Sequence, residues 1–227
     1  MAYGIKFRTW GEYALFSRPE LKVERVSYDM ITPSAARGFI DCIYWKPAIK
    51  WTIDKIHVIN PIEFTNIRRN EVSETATLAT VKKVMKNPQP YSIVAPEARH
   101  QRAAIVLRNV EYVIEAHFDL TYKATEEDTI EKHYNIALRR LRKGQFFQKP
   151  FLGTREFSAD FEIIESHEDI PKSCYSEDSE RDLGYMLYDI GYETDESTQK
   201  MTVNPSFFRA VLKGGVLDLI NVSGVVQ

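Results

Sequence analysis

The chain has 227 residues, 44% hydrophobic and 27% charged, an average globular composition that removes disordered, collagen-like and coiled-coil readings and leaves one large domain or two small ones. Thirty Lys and Arg stand against 32 Asp and Glu, for a formal net charge of -2, so the total offers no sign of a polyanion partner. No run of about 18 apolar residues occurs, and Lys6, Arg8 and Glu12 interrupt what a signal peptide keeps apolar; a cytoplasmic protein without a membrane partner is expected.

Tyr3 to Trp10 and Tyr13 to Phe16 alternate apolar and polar side chains, which predicts a first strand with a turn at Gly11. Thr32-Pro33 reads as an N-cap followed by proline at the first helical position, opening a helix over SAARGFIDCIYW that must stop before Pro47. WTIDKIHVINPIEF is the next strand. Residues 65–102, broken by Pro88, Pro90 and Pro96, show weak periodicity and read as an insertion or long loop. AAIVLRNVEYVIEAHFDLTYK is a long strand. Thr125 to Asp128 then supply an acidic cap to a helix whose apolar stripe is Ile130, Tyr134, Ala137, Leu138 and Leu141 and which Gly144 ends. REFSADFEII closes the set as a strand.

The order strand, helix, strand, strand, helix, strand is that of an α+β, ferredoxin-like domain of the RNA-recognition-motif type, expected over residues 1–166. Two further apolar runs, YMLYDIGYE and FFRAVLKGGVLDLI, predict an appended small antiparallel β-sheet over residues 167–227.

Charge is segregated along the chain. From Lys132 to Arg155 there are seven Lys or Arg and no acid, whereas Glu165 to Lys200 holds eleven acids against Lys172, Arg181 and Lys200. A basic block attracts a polyanion because each neutralised phosphate releases counterions, and Tyr134, Phe146, Phe147 and Phe151 interleave it with rings able to stack on unpaired bases. A solvated helix face is the plainer reading of any single charge run.

Standard enzyme signatures are missing: the sequence has no phosphate-binding GxxxxGK[ST], no GxGxxG, no HExxH and no GxSxG. Cys42 and Cys174 stand far apart without metal-ligand spacing, so neither a zinc site nor any other cofactor is expected, and Cys42 reads as core filling. Among the five histidines, His57 and His117 read as structural, His100 as a loop residue able to touch a phosphate, and His167 as protonated within the acidic segment. His133 differs. It follows Lys132 in the first turn of the basic helix, where backbone N–H groups and the helix dipole favour an anion and a neutral imidazole. For RNA the adjacent 2′-hydroxyl is an internal nucleophile, so a protein need supply only a base, a cation for the phosphorane and a donor to the leaving oxygen. His133 and Lys132 suit the first two roles, and any of twelve tyrosines the third.

GEYALF, IYWKP, EKHY and FLGTRE, in this order along the chain, resemble the CRISPR-associated Cas-five family, in particular its type I-C branch; the likeness weakens over residues 65–102 and in the acidic segment. The resemblance implies a metal-independent endoribonuclease that cleaves CRISPR repeat hairpins in precursor RNA, leaves a 2′,3′-cyclic phosphate and keeps the 5′ tag as a subunit of a type I-C interference complex. It implies Tyr44, Lys132 and His133 as catalytic residues. Arg139, Arg140, Arg142, Lys143, Lys149 and Arg155 would contact phosphates, and Gly153 would let backbone approach RNA. Partners are then the repeat RNA, the other complex subunits and, as a further candidate, duplex DNA. The competing expectation is a non-catalytic subunit that binds the guide-RNA tag, as other branches of the family do.

Overall fold

The computed structural model describes all residues except 1–3, 22, 89, 167–168, 195–200, 221, 223 and 227. In chain order its elements are β1 (Ile5–Ala14), β2 (Arg25–Val26), α1 (Pro33–Ile43), β3 (Ile49–Val58), β4 (Phe64–Val72), α2 (Leu78–Lys86), β5 (Arg99–Leu120), α3 (Ile130–Arg142), β6 (Asp160–Ile163), β7 (Glu180–Thr194), β8 (Met201–Lys213) and β9 (Val216–Asp218). Among the described residues nine strands share one sheet with the path β6-β1-β5-β3-β9-β8-β7, while β2 and β4 pair with β5 beside it. The pairing is antiparallel except between β2 and β5.

Helix α1 forms where its local signals agree. The Thr32 hydroxyl accepts the Ala35 N–H, proline occupies the first turn, and Ala36, Phe39, Ile40 and Ile43 present one buried face at the i, i+3, i+4, i+7 spacing of a core-facing helix. Phe39 stacks on Phe7 of β1 with ring centroids 5.7 Å apart. Each large apolar side chain buried this way contributes about 1.5–3 kcal/mol. The helix gives out at Ile43, and Tyr44 turns to extended backbone, φ -149° and ψ 115°, while its N–H still bonds to the Ile40 carbonyl.

The other sheet face is polar. Lys6 and Arg8 alternate with buried Ile5 and Phe7 along β1, as a pleated strand requires, and charges there are paired: Arg8 with Glu111 and Glu162, Lys6 and His57 with Glu115, His117 with Asp54. His57 and His117 are thus fixed by carboxylates on this face.

Several expectations change. Gly11 makes no turn; β1 runs straight through it, opposite Val110 of β5, and a Cβ there would lie 2.7 Å from Leu152 Cδ1, so that a side chain at this position would displace the Leu152 methyl. Tyr3, the expected start of that strand, lies outside the described residues. The span 65–102 is not a loop: β4 pairs with the first half of β5 from Phe64 opposite Leu107 to Val72 opposite Arg99, with α2 at the far end, so His100 sits on a strand. Asn109, at φ 50°, marks where β5 passes from β4 to β3, a left-handed position that Asn tolerates. The C-terminal strands form no separate sheet, because β9 bonds to β3 through Lys55, Ile56 and His57 and carries β8 and β7 onto the same surface.

Candidate active site

Helix α3 starts one residue later than the acidic cap predicts. Thr129 is the N-cap, its hydroxyl accepting the Lys132 N–H at 3.2 Å, and the His133 N–H goes to the Thr129 carbonyl. Those two amides are therefore occupied within the helix itself. Asp128 closes a turn before the cap: its Oδ2 accepts both the Thr125 N–H and the Thr125 hydroxyl. These hydrogen bonds, the backbone one foremost, hold the Asp128 carboxyl below its ordinary value.

The buried stripe of α3 is His133, Ala137 and Leu141, spaced by four and rotated from the predicted one; Tyr134 and Leu138 flank it and Ile130 is exposed. The imidazole therefore points into the core toward the end of α1, where the Tyr44 hydroxyl lies 2.6 Å from His133 Nδ1. On the other side of the ring, His133 Nε2 stands 3.1 Å from Asp128 Oδ1. Phe118 of β5 packs edge-on against the imidazole. Trp51 Nε1 donates to the Tyr44 carbonyl at 2.8 Å, so β3 fixes the tyrosine from behind. Tyr44 is 1% and His133 2% exposed. Trp45, by contrast, is 57% exposed, so Tyr44 is a core residue and Trp45 a surface one.

Arg140 reaches back over this pair. Its guanidinium lies 5.1 Å from the centre of the Tyr44 ring and donates to the Ile43 carbonyl at 2.6 Å, a cation at the C-terminus of α1 where the helix dipole favours one. Burial raises the pKa of the Tyr44 phenol, and Arg140 and Arg139 oppose that shift. Lys132 remains on the surface, its ammonium donating to the Glu127 carbonyl at 2.9 Å and lying 3.8 Å from Asp128 Oδ1.

The remaining basic residues divide. Arg142 makes a two-pronged contact with Glu165, and Lys149 pairs with Asp160, so both are neutralised internally. Arg139, Lys143 and Arg155 are exposed without a carboxylate partner among the described residues. Arg139 and Arg140 line a depression with Gly144, Gln145 and Phe146, and Phe147 beside it is 87% exposed. Gly153, at φ 85°, admits the chain's own backbone: a Cβ would meet the Leu15 carbonyl oxygen at 2.0 Å. His167 lies outside the described residues. Among those described, no three or more His, Cys, Asp or Glu side chains are grouped to hold a metal, and no helix is long and apolar enough to cross a membrane.

Sequence reasoning reached Lys132 and His133 from charge and helix position, and Tyr44 only through resemblance. It missed Asp128 as a partner of His133 and Arg140 as a partner of Tyr44. A carboxylate just ahead of the N-cap and five residues before the histidine was the available signal for the first.

The chain is similar to known proteins along nearly its whole length. A family profile described as "CRISPR-associated protein (Cas_Cas5)" matches residues 4–220. A protein of Mannheimia succiniciproducens named "CRISPR pre-crRNA endoribonuclease Cas5d" is 48% identical over 222 residues, covering 96% of both chains. One of the same name from Thermus thermophilus is 36% identical over 227 residues, covering 95% of this chain and 90% of the relative. A crystal structure of a CRISPR-associated protein superposes with a TM-score of 0.68 at 24% identity, over 99% of this chain and 96% of the other. The chain belongs to the CRISPR-associated Cas5 family, in its type I-C, Cas5d branch.

Proposed function

We propose that this protein is a CRISPR precursor-RNA endoribonuclease of the cytoplasm that cuts its repeat hairpin without a metal, by attack of the 2′-hydroxyl, and then holds the 5′ tag within a type I-C interference complex. The observation that carries the mechanism is the 2.6 Å contact between Tyr44 and His133, which brings together, across 89 residues of sequence, a phenol and the imidazole able to exchange its proton. The names of the two relatives support the substrate class. In this reading Tyr44 and His133 share the proton transfers and the exposed Lys132 ammonium offsets charge on the phosphorane. Arg139, Lys143 and Arg155 supply phosphate contacts, which position the hairpin without reading its sequence; Arg142 and Lys149 join them only by exchanging their carboxylates for phosphates. The ferredoxin-like description is supported by the β6-β1-β5-β3 order, with α1 and α3 as its two crossovers.

Because both reactive side chains are buried, RNA reaches Tyr44 Oη only when their cover shifts. Arg140 is part of that cover, and a phosphate bound in the depression it lines would compete for its guanidinium. The same burial favours a second reading, a tag-binding subunit that does not cut. The test is cleavage of the cognate repeat RNA by the purified protein in excess EDTA. A single cut with a 2′,3′-cyclic phosphate end is expected, abolished by a 2′-deoxy substitution at the nucleotide before the scissile phosphate. Unimpaired cutting of the deoxy substrate sinks the mechanism; tight binding without any cutting establishes the second reading.

A further inference from the structure

Both nitrogens of the His133 ring are engaged, and that leaves the imidazole itself no free atom for substrate. A carboxylate can only accept, so the bond to Asp128 Oδ1 requires the hydrogen on Nε2. A neutral imidazole carries one ring hydrogen, which leaves Nδ1 as the acceptor of the Tyr44 hydroxyl at 2.6 Å. Asp128 is itself immobilised: Oδ2 is spent on the two Thr125 donors at 3.0 and 2.9 Å, so Oδ1 faces the ring. Phe118 packed edge-on against the imidazole restricts its rotation. The other charged groups of the cluster are Lys132, 3.8 Å from Asp128 Oδ1, and Arg140 above the Tyr44 ring.

We infer that Asp128 is a positioning residue for the proposed cleavage: it holds His133 as the Nε2–H tautomer, so that Tyr44 Oη, and no imidazole nitrogen, takes the proton of the attacking 2′-hydroxyl. The inference rests on the ribonuclease reading. In the step, the 2′-hydroxyl proton passes to Tyr44 Oη as the Tyr44 proton passes to His133 Nδ1. The 2′-oxygen bonds to phosphorus, the bond from phosphorus to the 5′-oxygen breaks, and the departing oxygen takes a proton from the Lys132 ammonium. The products are a 2′,3′-cyclic phosphate and a 5′-hydroxyl. Water then removes the extra proton from His133 and restores the one lost by Lys132. The imidazolium formed midway is flanked by Asp128, while Arg140 over the tyrosine ring favours negative charge developing on Oη. Second groups that fix the tautomer of a working histidine act through it and never touch the substrate.

The test has two arms. In free protein carrying nitrogen-15 histidine, ring nitrogen shifts at neutral pH should show His133, assigned by its loss in His133→Gln, protonated on Nε2 and bare on Nδ1. Asp128→Asn presents an amide N–H to Nε2 while its oxygen still serves Thr125, so the hydrogen should move to Nδ1. Single-turnover cleavage should then fall about 10²–10⁴-fold, the span of proton-transfer catalysis, with RNA affinity kept. Asp128→Glu, which restores the carboxylate, should recover part of the rate. A native ring protonated on Nδ1, or an Asp128→Asn protein that cuts at the native rate, overturns the inference. If the native protein cuts no repeat RNA, the ribonuclease reading fails, and the tautomer of the free protein still decides whether Asp128 positions His133. If Asp128→Asn does not fold, the native tautomer and the Glu variant decide the matter.

Discussion

Helices α2 and α3 are written in the same local code and do different things. Each is capped by a threonine whose hydroxyl accepts the N–H three residues on at 3.2 Å, and each ends in basic residues, Lys83 and Lys86 in one, Arg139, Arg140 and Arg142 in the other. Helix α2 buries no residue, and Leu78 and Met85 are 69% and 76% exposed. Helix α3 buries His133, Ala137 and Leu141 against the sheet and the end of α1. A cap and a run of positive charge are thus no site by themselves. The chemistry arises where a helix turns a titratable side chain inward and another element meets it, which for α3 means Tyr44 at the end of α1 and Phe118 of β5.

The largest effect that separates the two helices is in rate. Tyr44→Phe removes the hydroxyl and leaves its ring in the core, and cleavage at saturating protein should drop about 10²–10⁴-fold while RNA affinity holds. Replacing Lys82, Lys83 and Lys86 of α2 together by Gln should leave that single-turnover rate within a factor of about two, since a charge remote from the chemistry acts on encounter rather than on the bond-breaking step. Equal losses of rate in the two proteins would show that positive charge, and not the buried pair, does the work.

The same contrast explains what the sequence made legible. Helix α1 and helix α3 announce themselves through Thr32-Pro33, Gly144 and periodic apolar residues, all local signals. Lys132 and His133 stood out because helix position and charge are also local. The pairing of Tyr44 with His133 is tertiary, and nothing within either segment singles out that tyrosine; only family resemblance did. Asp128 read as a helix-terminal acid because its contact with the ring depends on His133 facing inward, which the predicted stripe of Ile130, Tyr134, Ala137, Leu138 and Leu141 did not include. Strand β4 escaped because its residues alternate between exposed and half-buried, none of them fully buried, and its half-buried face is polar apart from Ile67, so no hydrophobic period is present to find. Gly11 misled for the opposite reason: its value lies in the room it leaves for Leu152, 141 residues away, and not in any turn.

A helix that buries a face also risks burying charge, a cost α2 never meets. Asp41 of α1 is only partly exposed, and burial lifts its carboxyl from 3.8 to about 6, with Arg37 opposing. Below pH 3.8 the side chain is protonated in folded and unfolded chains alike. Between 3.8 and 6 the folded chain holds the proton more tightly, so its contribution to stability is lost as pH rises, and above 6 the charge is carried inside the fold. Asp41→Asn should therefore stabilise the protein at pH 8 by about 1–2 kcal/mol, allowing for partial exposure, and not at pH 3. Denaturant melts at the two pH values check this, and an equal gain at both would assign the effect to packing.

The smallest effect tests the comparison most directly, because it makes one chemical change in both helices. Losing a threonine cap costs about 0.5–2 kcal/mol of helix stability. In α3 that cost falls on the whole molecule, since Ala137 and Leu141 belong to the main core, and about 1 kcal/mol in a chain this long lowers the melting temperature by about 2–4 °C. Thr129→Ala should show that shift. It should also slow cleavage, because Thr129 holds the turn that carries Lys132 and His133. Thr77→Ala should leave the melting temperature unchanged and speed amide exchange within α2 alone, as expected of an element that opens without the core. If Thr77→Ala lowers the melting temperature as much as Thr129→Ala, α2 is coupled to the core through β4 and β5, and a helix need not bury a face to belong to the cooperative unit.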